Sequence, residues 1–455
     1  MTAAQVVERF QMKPEGDLFR GFCPWCCSPH RTLLFDPENL ALYCPECKRK
    51  QAIDEDEEPQ AEKSKPEPIA AVPDEDRIIP FPQERAEGLR FPDIMTGAAG
   101  EFAAVYEACM EPPKKFFYVS YLTCLGSVLA GRLTLNTEIS PQPRLNVVLL
   151  GESADDRKST AIRFTTDFFK DTLTDFSLCY GVGSAEGLAK RFEGSKNVLL
   201  VYDEFKSLIS KCKIESSVLL TCINTLFELN RYESITQKHD IRLDGVHLSL
   251  LAASTIGTYE RVWDSSFTDI GFNNRLFLVP GCGVRKNAFP ERVPFNDRAW
   301  LQRRLGEVLN HVGSGLELDM TPEAHEIYQA WYLGLPRSIH AKRLDTYALR
   351  FMGLLAVNEL KTVIDEDVIE KVTQLCNWQL EVRRLHDPID ADSEMAKMEE
   401  RIRRALSTGR KTDRALRQST HANRAGLFLY QNAIRNLQGS KEIDWDKASR
   451  TWGLT

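Results

Sequence analysis

Four short apolar segments in the middle of the chain most constrain its fold. They are rich in Leu and Val and cover residues 144–151, 197–204, 247–255 and 274–281. Segments with helical spacing separate them, the first running from Lys158 to Leu173. Continuous apolar strands of this length are typical of parallel sheets that helices cover on both faces. The alternation therefore predicts an α/β fold with a mostly parallel, doubly wound sheet.

The composition changes on either side of this core. Residues near the N-terminus are rich in cysteine and basic side chains, and an acidic, proline-containing stretch with almost no large apolar residues follows them. Such a stretch is typical of a solvated linker. We predict five parts: an N-terminal unit (1–50), a linker (51–80), the core with its preceding helices (81–290), a helical lid or subdomain (291–390) and a C-terminal unit (391–455).

The net charge of the whole chain is a poor guide to its partners. The 58 Lys and Arg residues against 65 Asp and Glu give a formal charge of -7, which by itself disfavours nucleic acid. Much of the acidity lies in the linker, however, and both ends of the chain are locally basic. The distribution is therefore compatible with a nucleic-acid partner.

Several features predict a cytoplasmic protein without a membrane partner. The first residues carry acids and bases and lack the apolar core of a signal peptide. The longest weakly polar run, residues 116–131, is shorter than a membrane span. Scattered single cysteines in apolar stretches are interpreted as reduced residues of the core. These cysteines are Cys109, Cys124, Cys179, Cys212, Cys222, Cys282 and Cys376.

Two Cys-x2-Cys pairs in the N-terminal unit have the spacing of a structural zinc site. The pairs are separated by 17 residues, which lets four thiolates surround one Zn²⁺ tetrahedrally. The predicted ligands are Cys23, Cys26, Cys44 and Cys47. Either Cys27 or His30 could replace Cys26, and this alternative stays open. Because all ligands come from protein, the site would be closed and structural.

The first apolar strand leads into a candidate phosphate-binding loop. Gly151 is followed by ESADDR and then by Lys158, Ser159 and Thr160 at the start of a helix. Backbone N–H groups of such a loop hold phosphates, while the lysine reaches the β- and γ-phosphates and the serine binds Mg²⁺. We predict that Arg157 and these four residues bind the nucleotide, and that Lys158 is also catalytic.

This loop departs from the usual pattern G-x4-G-K-[ST]. It has one extra residue, it has Arg157 where a glycine is usual, and it places Asp155 and Asp156 where the phosphates would lie. Negative charge at that place is unfavourable unless the carboxylates point outward or help to hold the metal. An ordinary strand-to-helix turn is the alternative.

The second apolar strand ends in a pair of acidic residues. Asp203 and Glu204 follow about 45 residues after Lys158. At the end of such a strand Asp203 could hold Mg²⁺ through water, and Glu204 could activate the attacking water. A solvated strand end is the alternative for this pair alone. The loop and the acidic pair together, in this order, favour ATP binding.

Two polar features accompany the later strands. Ser254 and Thr255 end the third strand, where a polar sensor could lie between the nucleotide and water; an ordinary capped strand end is the alternative. Arg275 precedes the fourth strand and could act as an arginine finger on the γ-phosphate of a neighbouring subunit. A surface arginine is the alternative for that residue.

Two further segments could contact DNA. Residues 234–247 alternate apolar and polar side chains around Lys238 and His239, which predicts a β-hairpin with a basic tip; a purely structural hairpin is the alternative. Near the C-terminus, Thr412 could cap a helix, and a turn at His421 leads into a second helix followed by a strand-like wing. Helix-turn-helix units read duplex DNA with the second helix. That helix would expose Arg424, Gln431, Asn432 and Arg435, although many winged helices bind protein instead.

The quoted motifs resemble two known families. CPWC and CPEC before an acidic linker resemble the N-terminal zinc ribbon of DnaG-type primases. The motifs GESADDRKSTAI, GSAEGLAKRF, VLLVYDEF, HLSLLAAST and GFNNRLFLV, in that order, resemble a helicase-like P-loop family of phage, plasmid and integrated-element proteins. An arginine before the lysine is common in that family. No acidic cluster of the Toprim kind is found, so primer synthesis is not expected.

The resemblance implies a RecA/AAA-like ATPase core between a zinc ribbon and a winged-helix region. It implies Mg²⁺-dependent ATP hydrolysis coupled to DNA translocation or unwinding, in a homo-oligomeric ring that works with primase or other replication proteins. Two alternatives stay open: a DNA-binding scaffold or initiator whose degenerate loop does not hydrolyse ATP, and a packaging or partition motor.

Overall fold

A computed structural model describes most of the chain. It covers residues 13–15, 18–21, 33–36, 41–44, 50–52, 89–152, 156–215, 217–235, 240–263, 267, 270–283, 289–388 and 394–455. The chain divides into two compact units, residues 1–79 and residues 80–455.

The first unit contains a five-stranded antiparallel sheet in which each strand pairs with the next. The strands are β1 (Lys13–Glu15), β2 (Leu18–Gly21), β3 (Leu33–Asp36), β4 (Ala41–Tyr43) and β5 (Lys50–Ala52). Cys44 is buried directly after β4. The other predicted zinc ligands, Cys23, Cys26 and Cys47, lie outside the described residues, as do Cys27 and His30. The zinc site therefore stays a prediction.

The second unit is built on a parallel sheet of five strands, in the order β13-β7-β12-β9-β8. Its strands are β7 (Asn146–Gly151), β8 (Leu178–Tyr180), β9 (Asn197–Tyr202), β12 (His247–Thr255) and β13 (Phe277–Pro280). All neighbouring strands run parallel. The predicted α/β fold with a parallel central sheet is confirmed. The pattern did not predict β8, which is short and only partly buried.

Helices pack around this sheet and on one another. Those that precede the C-terminal part are α1 (Gly97–Cys109), α2 (Lys114–Leu129), α3 (Lys158–Thr172), α4 (Ala185–Phe192), α5 (Phe205–Cys212), α6 (Leu219–Glu228), α7 (Ile256–Arg261), α8 (Phe295–Val312), α9 (Pro322–Gly334), α10 (Leu344–Asn358) and α11 (Glu366–His386). Helix α2 contains much of the weakly polar run, and 13 of its 16 residues are buried in the core of this unit. Among the described helices, none combines the length and apolarity that a membrane crossing needs.

Shorter elements complete the core. A small parallel sheet joins β6 (Leu133–Leu135), β14 (Leu316–Met320) and β15 (Val363–Ile364). The predicted hairpin is present, because β10 (Arg231–Ile235) and β11 (Asp240–Asp244) pair antiparallel. Its tip residues Lys238 and His239 lie outside the described residues, so their contact with DNA stays a prediction.

The C-terminal part has its own small hydrophobic core. Its elements are α12 (Glu394–Ser407), β16 (Lys411–Thr412), α13 (Asp413–Ser419), α14 (Ala422–Ala425), α15 (Leu427–Gly439), β17 (Ile443–Asp446) and β18 (Thr451–Leu454). The strands form an antiparallel sheet in the order β16-β18-β17. Thr412 caps α13 as predicted, since its Oγ1 accepts a hydrogen bond from the N–H of Ala415 at 3.2 Å.

The buried face of α15 includes Tyr430, Ile434 and Leu437, whereas Leu427 at the start of the helix is 44% exposed. One predicted side-chain position is wrong. Cys282 is exposed and is no core residue, because it follows the last strand of the sheet at its carboxyl edge. Among the other scattered cysteines, Cys179 is partly buried and the rest are buried.

The surroundings of His247, at the start of β12, predict that the stability of the fold falls in acid. Its side chain is buried, and Nη1 of the equally buried Arg144 lies 3.3 Å from its Nδ1. Burial, and then the charge of Arg144, lower the pKa of His247 from 6.5 to about 4. Between these two pH values the unfolded chain binds a proton that the folded chain excludes. Stability is therefore expected to fall as the pH drops through this window, by up to about 3 kcal/mol.

Urea unfolding between pH 7.5 and pH 4.5 tests this expectation. The stability of His247→Gln should depend less on pH than that of the wild type, because the buried titrating group is gone. His325→Gln changes an exposed histidine and serves as the control. Equal pH dependence in wild type and His247→Gln would contradict the assignment.

Candidate functional site

Except for Arg275, the residues predicted for the nucleotide site lie at one edge of the parallel sheet. In the register of the strands, Thr255 at the end of β12 pairs with Gly151 at the end of β7, and Ala252 pairs with Tyr202 at the end of β9. The segments that follow these strands therefore leave the sheet at the same edge, where open α/β sheets bind ligands. Because β12 alone separates β7 from β9, their ends lie about 10 Å apart.

Lys158 is the first residue of α3 and turns back towards the end of β7. Its Nζ donates to the carbonyl oxygens of Gly151 at 3.1 Å and Glu152 at 2.6 Å, and the residue is only 8% exposed. No side chain among the described residues caps the N-terminus of α3. The unsatisfied N–H groups of the first helical turn and a buried ammonium group thus meet at one place, which favours an anion.

Asp156 does not point at the place expected for phosphate. Its carboxylate is 2% exposed and accepts hydrogen bonds from the N–H of Glu152 and, at 2.5 Å, from the N–H of Gly283. The carboxylate therefore joins the loop after β7 to the segment after β13, and these donors offset the cost of burying it. A Cβ at Gly151 would lie 2.5 Å from Oδ2 of Asp156, so glycine is required there. Asp155 lies outside the described residues.

Arg157 adopts the conformation that the usual glycine favours. Its φ is +49°, in the left-handed region where glycine has no steric penalty. Its guanidinium forms a salt bridge with Glu111, with Nε and Oε2 at 2.9 Å. The side chain is thus directed to the segment between α1 and α2. Sequence reasoning missed Glu111 because 46 residues separate it from its partner.

Ser159 and Thr160 continue the first turn of α3. Ser159 is exposed and Thr160 is half-buried. A serine hydroxyl next to the lysine is an oxygen donor of the kind that Mg²⁺ prefers. Its position on the edge shared with the acidic pair is compatible with the predicted metal role.

Asp203 and Glu204 follow β9 and are exposed to solvent. Within the described part of the chain, no cation forms a salt bridge with either carboxylate. Glu204 lies immediately before α5 but does not cap it. Tyr202, directly before the pair, is held by its hydroxyl, which accepts a hydrogen bond from the N–H of Val182 and donates one to the carbonyl of Val182, each at 2.9 Å. Two unpaired carboxylates therefore face the same edge as Lys158.

The hydroxyls at the end of β12 already have partners. Ser254 is buried, and its Oγ donates to the carbonyl of Thr255 at 3.1 Å. Oγ1 of Thr255 accepts from the N–H of Thr258 at 3.1 Å and so caps α7. Thr255 thus follows the alternative interpretation of a capped strand end. The sensor role of Ser254 stays a prediction.

Arg275 lies at the opposite edge of the sheet. It precedes β13, whose Phe277 pairs with Val147 near the start of β7, so Arg275 lies about 20 Å from the phosphate-binding edge. Its side chain is 14% exposed. Nη1 donates to the carbonyls of Ile270 and Gly271, and Nε lies 3.4 Å from Oε1 of Glu228. It cannot reach the loop of its own chain, and its action on a neighbouring subunit stays a prediction.

The positive charge of the C-terminal part is lower than its sequence predicts. Arginines that the sequence assigns to a basic surface form salt bridges within the part: Arg403 with Glu442, Arg404 with Glu400, Arg410 with Asp444 and Arg417 with Asp413. Arg424 and Arg435 are exposed, and Nη2 of Arg435 donates to Oδ1 of Asn432 at 2.7 Å. The prediction that the second helix carries Arg424 is wrong, because Gly426 with a φ of +109° separates α14, which contains Arg424, from α15. These two residues stay candidates for contact with phosphates.

Comparison with known proteins adds no assignment. No protein-family model matches the chain, and no curated protein matches it significantly. In the part of the chain that the structure describes, no group of three or more His, Cys, Asp or Glu residues is placed to hold a metal ion. The function proposed below therefore depends on the geometry of the sheet edge.

Proposed function

We propose that this chain is an ATP-dependent DNA helicase or translocase in the replication of a phage or mobile element. The observation that carries the proposal is the placement of buried Lys158 and the exposed pair Asp203 and Glu204 on one sheet edge. The strand order supports it, because RecA/AAA-like ATPases also have one strand between the loop strand and the acidic strand. The proposed fold is thus a RecA/AAA-like P-loop core.

Each residue of the edge has a proposed task in ATP hydrolysis. Lys158 and the N–H groups of α3 bind the β- and γ-phosphates, and Ser159 and Asp203 supply oxygen ligands for Mg²⁺. The metal would neutralise charge on the phosphates. Glu204 takes a proton from the water that attacks the γ-phosphorus while the bond to the β–γ bridging oxygen breaks, which yields ADP and phosphate. Arg275 of a neighbouring subunit in a ring would stabilise charge on the γ-phosphate.

The proposed DNA contacts lie outside the nucleotide site. Apart from the four-residue α14, the elements of the C-terminal part follow the order helix, strand, helix, helix, strand, strand. This order is typical of winged helices, which bind duplex DNA through the second helix of the turn. Arg435, Lys238 and His239 are the proposed contacts, together with a zinc ribbon in the N-terminal unit. A cytoplasmic location and partnership with primase or other replication proteins belong to the same proposal.

A second candidate is nucleotide binding without turnover. It is favoured by the closed state of the loop, in which Lys158 donates to two backbone carbonyls and Asp156 occupies the N–H of Glu152. Phosphates would compete with these two carbonyls for the N–H donors of Lys158. A chain in which this exchange is slow would act as a nucleotide-responsive scaffold on DNA.

The ATPase rate of the purified full-length chain, with and without single-stranded DNA, separates these candidates. We expect Mg²⁺-dependent hydrolysis that DNA accelerates severalfold, because a translocase couples turnover to its track. The same reaction with EDTA in place of Mg²⁺ is the control. Binding of ATP and DNA without any hydrolysis would favour the scaffold, and absence of ATP binding would exclude both candidates.

A further inference from the structure

A cleft of about 340 Å³ lies between the candidate nucleotide site and the C-terminal part of the same compact unit. Glu152, Thr255 and α7 line one wall, and the turn between α13 and α14 lines the other. Glu152 accepts the hydrogen bond from Lys158, and Thr255 pairs with Gly151. The cleft therefore opens onto the edge where the phosphates of a nucleotide are proposed to bind.

The two walls come close together at His421. This residue precedes α14 in the left-handed conformation, and its Nε2 lies near Gly257 of α7, 3.5 Å from the position that a Cβ on this glycine would take. On another side of the C-terminal part, Nη1 of Arg404 donates to the carbonyl of Asp387 at 2.5 Å. The hydrophobic cores of the two parts are separate. A bound ligand that bridges the walls would therefore add to the contacts that hold the C-terminal part in place.

The lining of the cleft is strongly basic. Three arginines line it, Arg261 from α7 and Arg417 and Arg424 from the helix-turn-helix, whereas Glu152 is the acidic residue among the described lining residues. Arg417 is neutralised by Asp413. Within the described part of the chain, neither Arg261 nor Arg424 forms a salt bridge or a side-chain hydrogen bond. Two uncompensated guanidinium groups in a cleft are suited to phosphate oxygens, which accept paired N–H donors.

We infer that Arg424, together with Arg261, binds the terminal phosphates of the nucleotide that Lys158 holds in the same chain. This inference rests on the proposed function. It assigns Arg424 to the nucleotide, although its sequence context predicts a DNA contact. The triphosphate then links the helix-turn-helix to the core, and loss of the γ-phosphate after hydrolysis weakens this link. The nucleotide state would thereby control how freely the C-terminal part can engage DNA.

Affinities of the full-length chain for MgATP and MgADP test the inference. We expect Arg424→Gln to weaken ATP binding about tenfold and ADP binding less, because a charge-assisted hydrogen bond to the γ-phosphate is lost. Arg261→Gln probes the other wall and should act in the same direction. Arg414→Gln removes an exposed arginine from α13 that does not line the cleft, and it should leave both affinities unchanged.

The possible outcomes separate this inference from the proposed function. Wild-type ATP affinity in both Arg424→Gln and Arg261→Gln, with unchanged thermal unfolding, would overturn the inference alone. Loss of DNA affinity without loss of ATP affinity in Arg424→Gln would overturn it as well and assign that arginine to DNA. A wild-type chain that binds no ATP would overturn the proposed function and the inference together.

Discussion

Replacement of Lys158 by alanine is expected to reduce ATP hydrolysis by about two to three orders of magnitude, the usual effect of removing one donor to a transition-state anion. The ammonium group is the buried cation at the sheet edge, and it lies at the positive end of α3. Its loss removes the charge that would hold the β- and γ-phosphates, so ATP affinity should also fall. The measurement is steady-state hydrolysis together with equilibrium binding of ATP.

A matched control is available in the same helix. Lys170 lies in the last turn of α3 and is exposed, so Lys170→Ala removes the same side chain at the far end from the site. It should hydrolyse ATP at the wild-type rate. Lys158 also holds two backbone carbonyls, so the thermal unfolding of Lys158→Ala must be compared with that of the wild type. A folded Lys158→Ala chain with the wild-type rate would exclude the site.

Four strands of the central sheet could be predicted from sequence because they are short and mostly buried, whereas the partly buried β8 could not. The prediction for β12 has the same bounds as the structure, since these nine residues are mostly apolar, all but the last are buried, and they lie between a hairpin and a helix. The helix after the loop was equally predictable, because α3 combines a start at Lys158 with apolar spacing along one face. Local sequence patterns therefore predict the sheet and the edge of it at which the candidate site lies.

Contacts between distant parts of the chain could not be predicted in this way. The hydrogen bond from the N–H of Gly283 to the carboxylate of Asp156 joins residues that are 127 positions apart in the sequence. Asp156 therefore stabilises the loop, whereas the sequence suggested that its charge would oppose phosphate binding. Arg275 and Glu228 are also distant in sequence and lie close enough in the fold to form an ion pair. The sequence around a carboxylate or a guanidinium does not show which residue will pair with it. Whether such a group is available to a ligand is therefore known only once the fold is known.

The same limit applies to the C-terminal arginines. A dense run of basic residues suggests a DNA-binding surface, but several of them are neutralised by acids that the fold brings from β17 and neighbouring helices, as Asp444 does for Arg410. What distinguishes Arg424 is the absence of such a partner among the described residues and its position in the cleft. Unpaired charge, more than charge density, indicates where an anion can bind.

Replacement of Glu204 by glutamine is expected to separate binding from chemistry. The amide keeps the shape of the side chain but cannot accept a proton from water, so the rate of hydrolysis should fall by about two to four orders of magnitude. ATP affinity should stay close to that of the wild type, because Lys158 and α3 are unchanged. Single-turnover hydrolysis and ATP binding, measured on the same preparation, give both quantities.

Glu193→Gln is the control for this variant, since Glu193 is exposed and precedes β9, at the other end of the strand that leads to Glu204. It should leave both hydrolysis and binding unchanged.

The results for the wild type and Glu204→Gln also bear on the scaffold candidate. If the wild type hydrolyses ATP and Glu204→Gln only binds it, the exposed carboxylate is the base and the loop opens for substrate. If both chains bind ATP and neither hydrolyses it, the loop that Lys158 and Asp156 close is a nucleotide sensor, and Glu204 is only a solvated strand end.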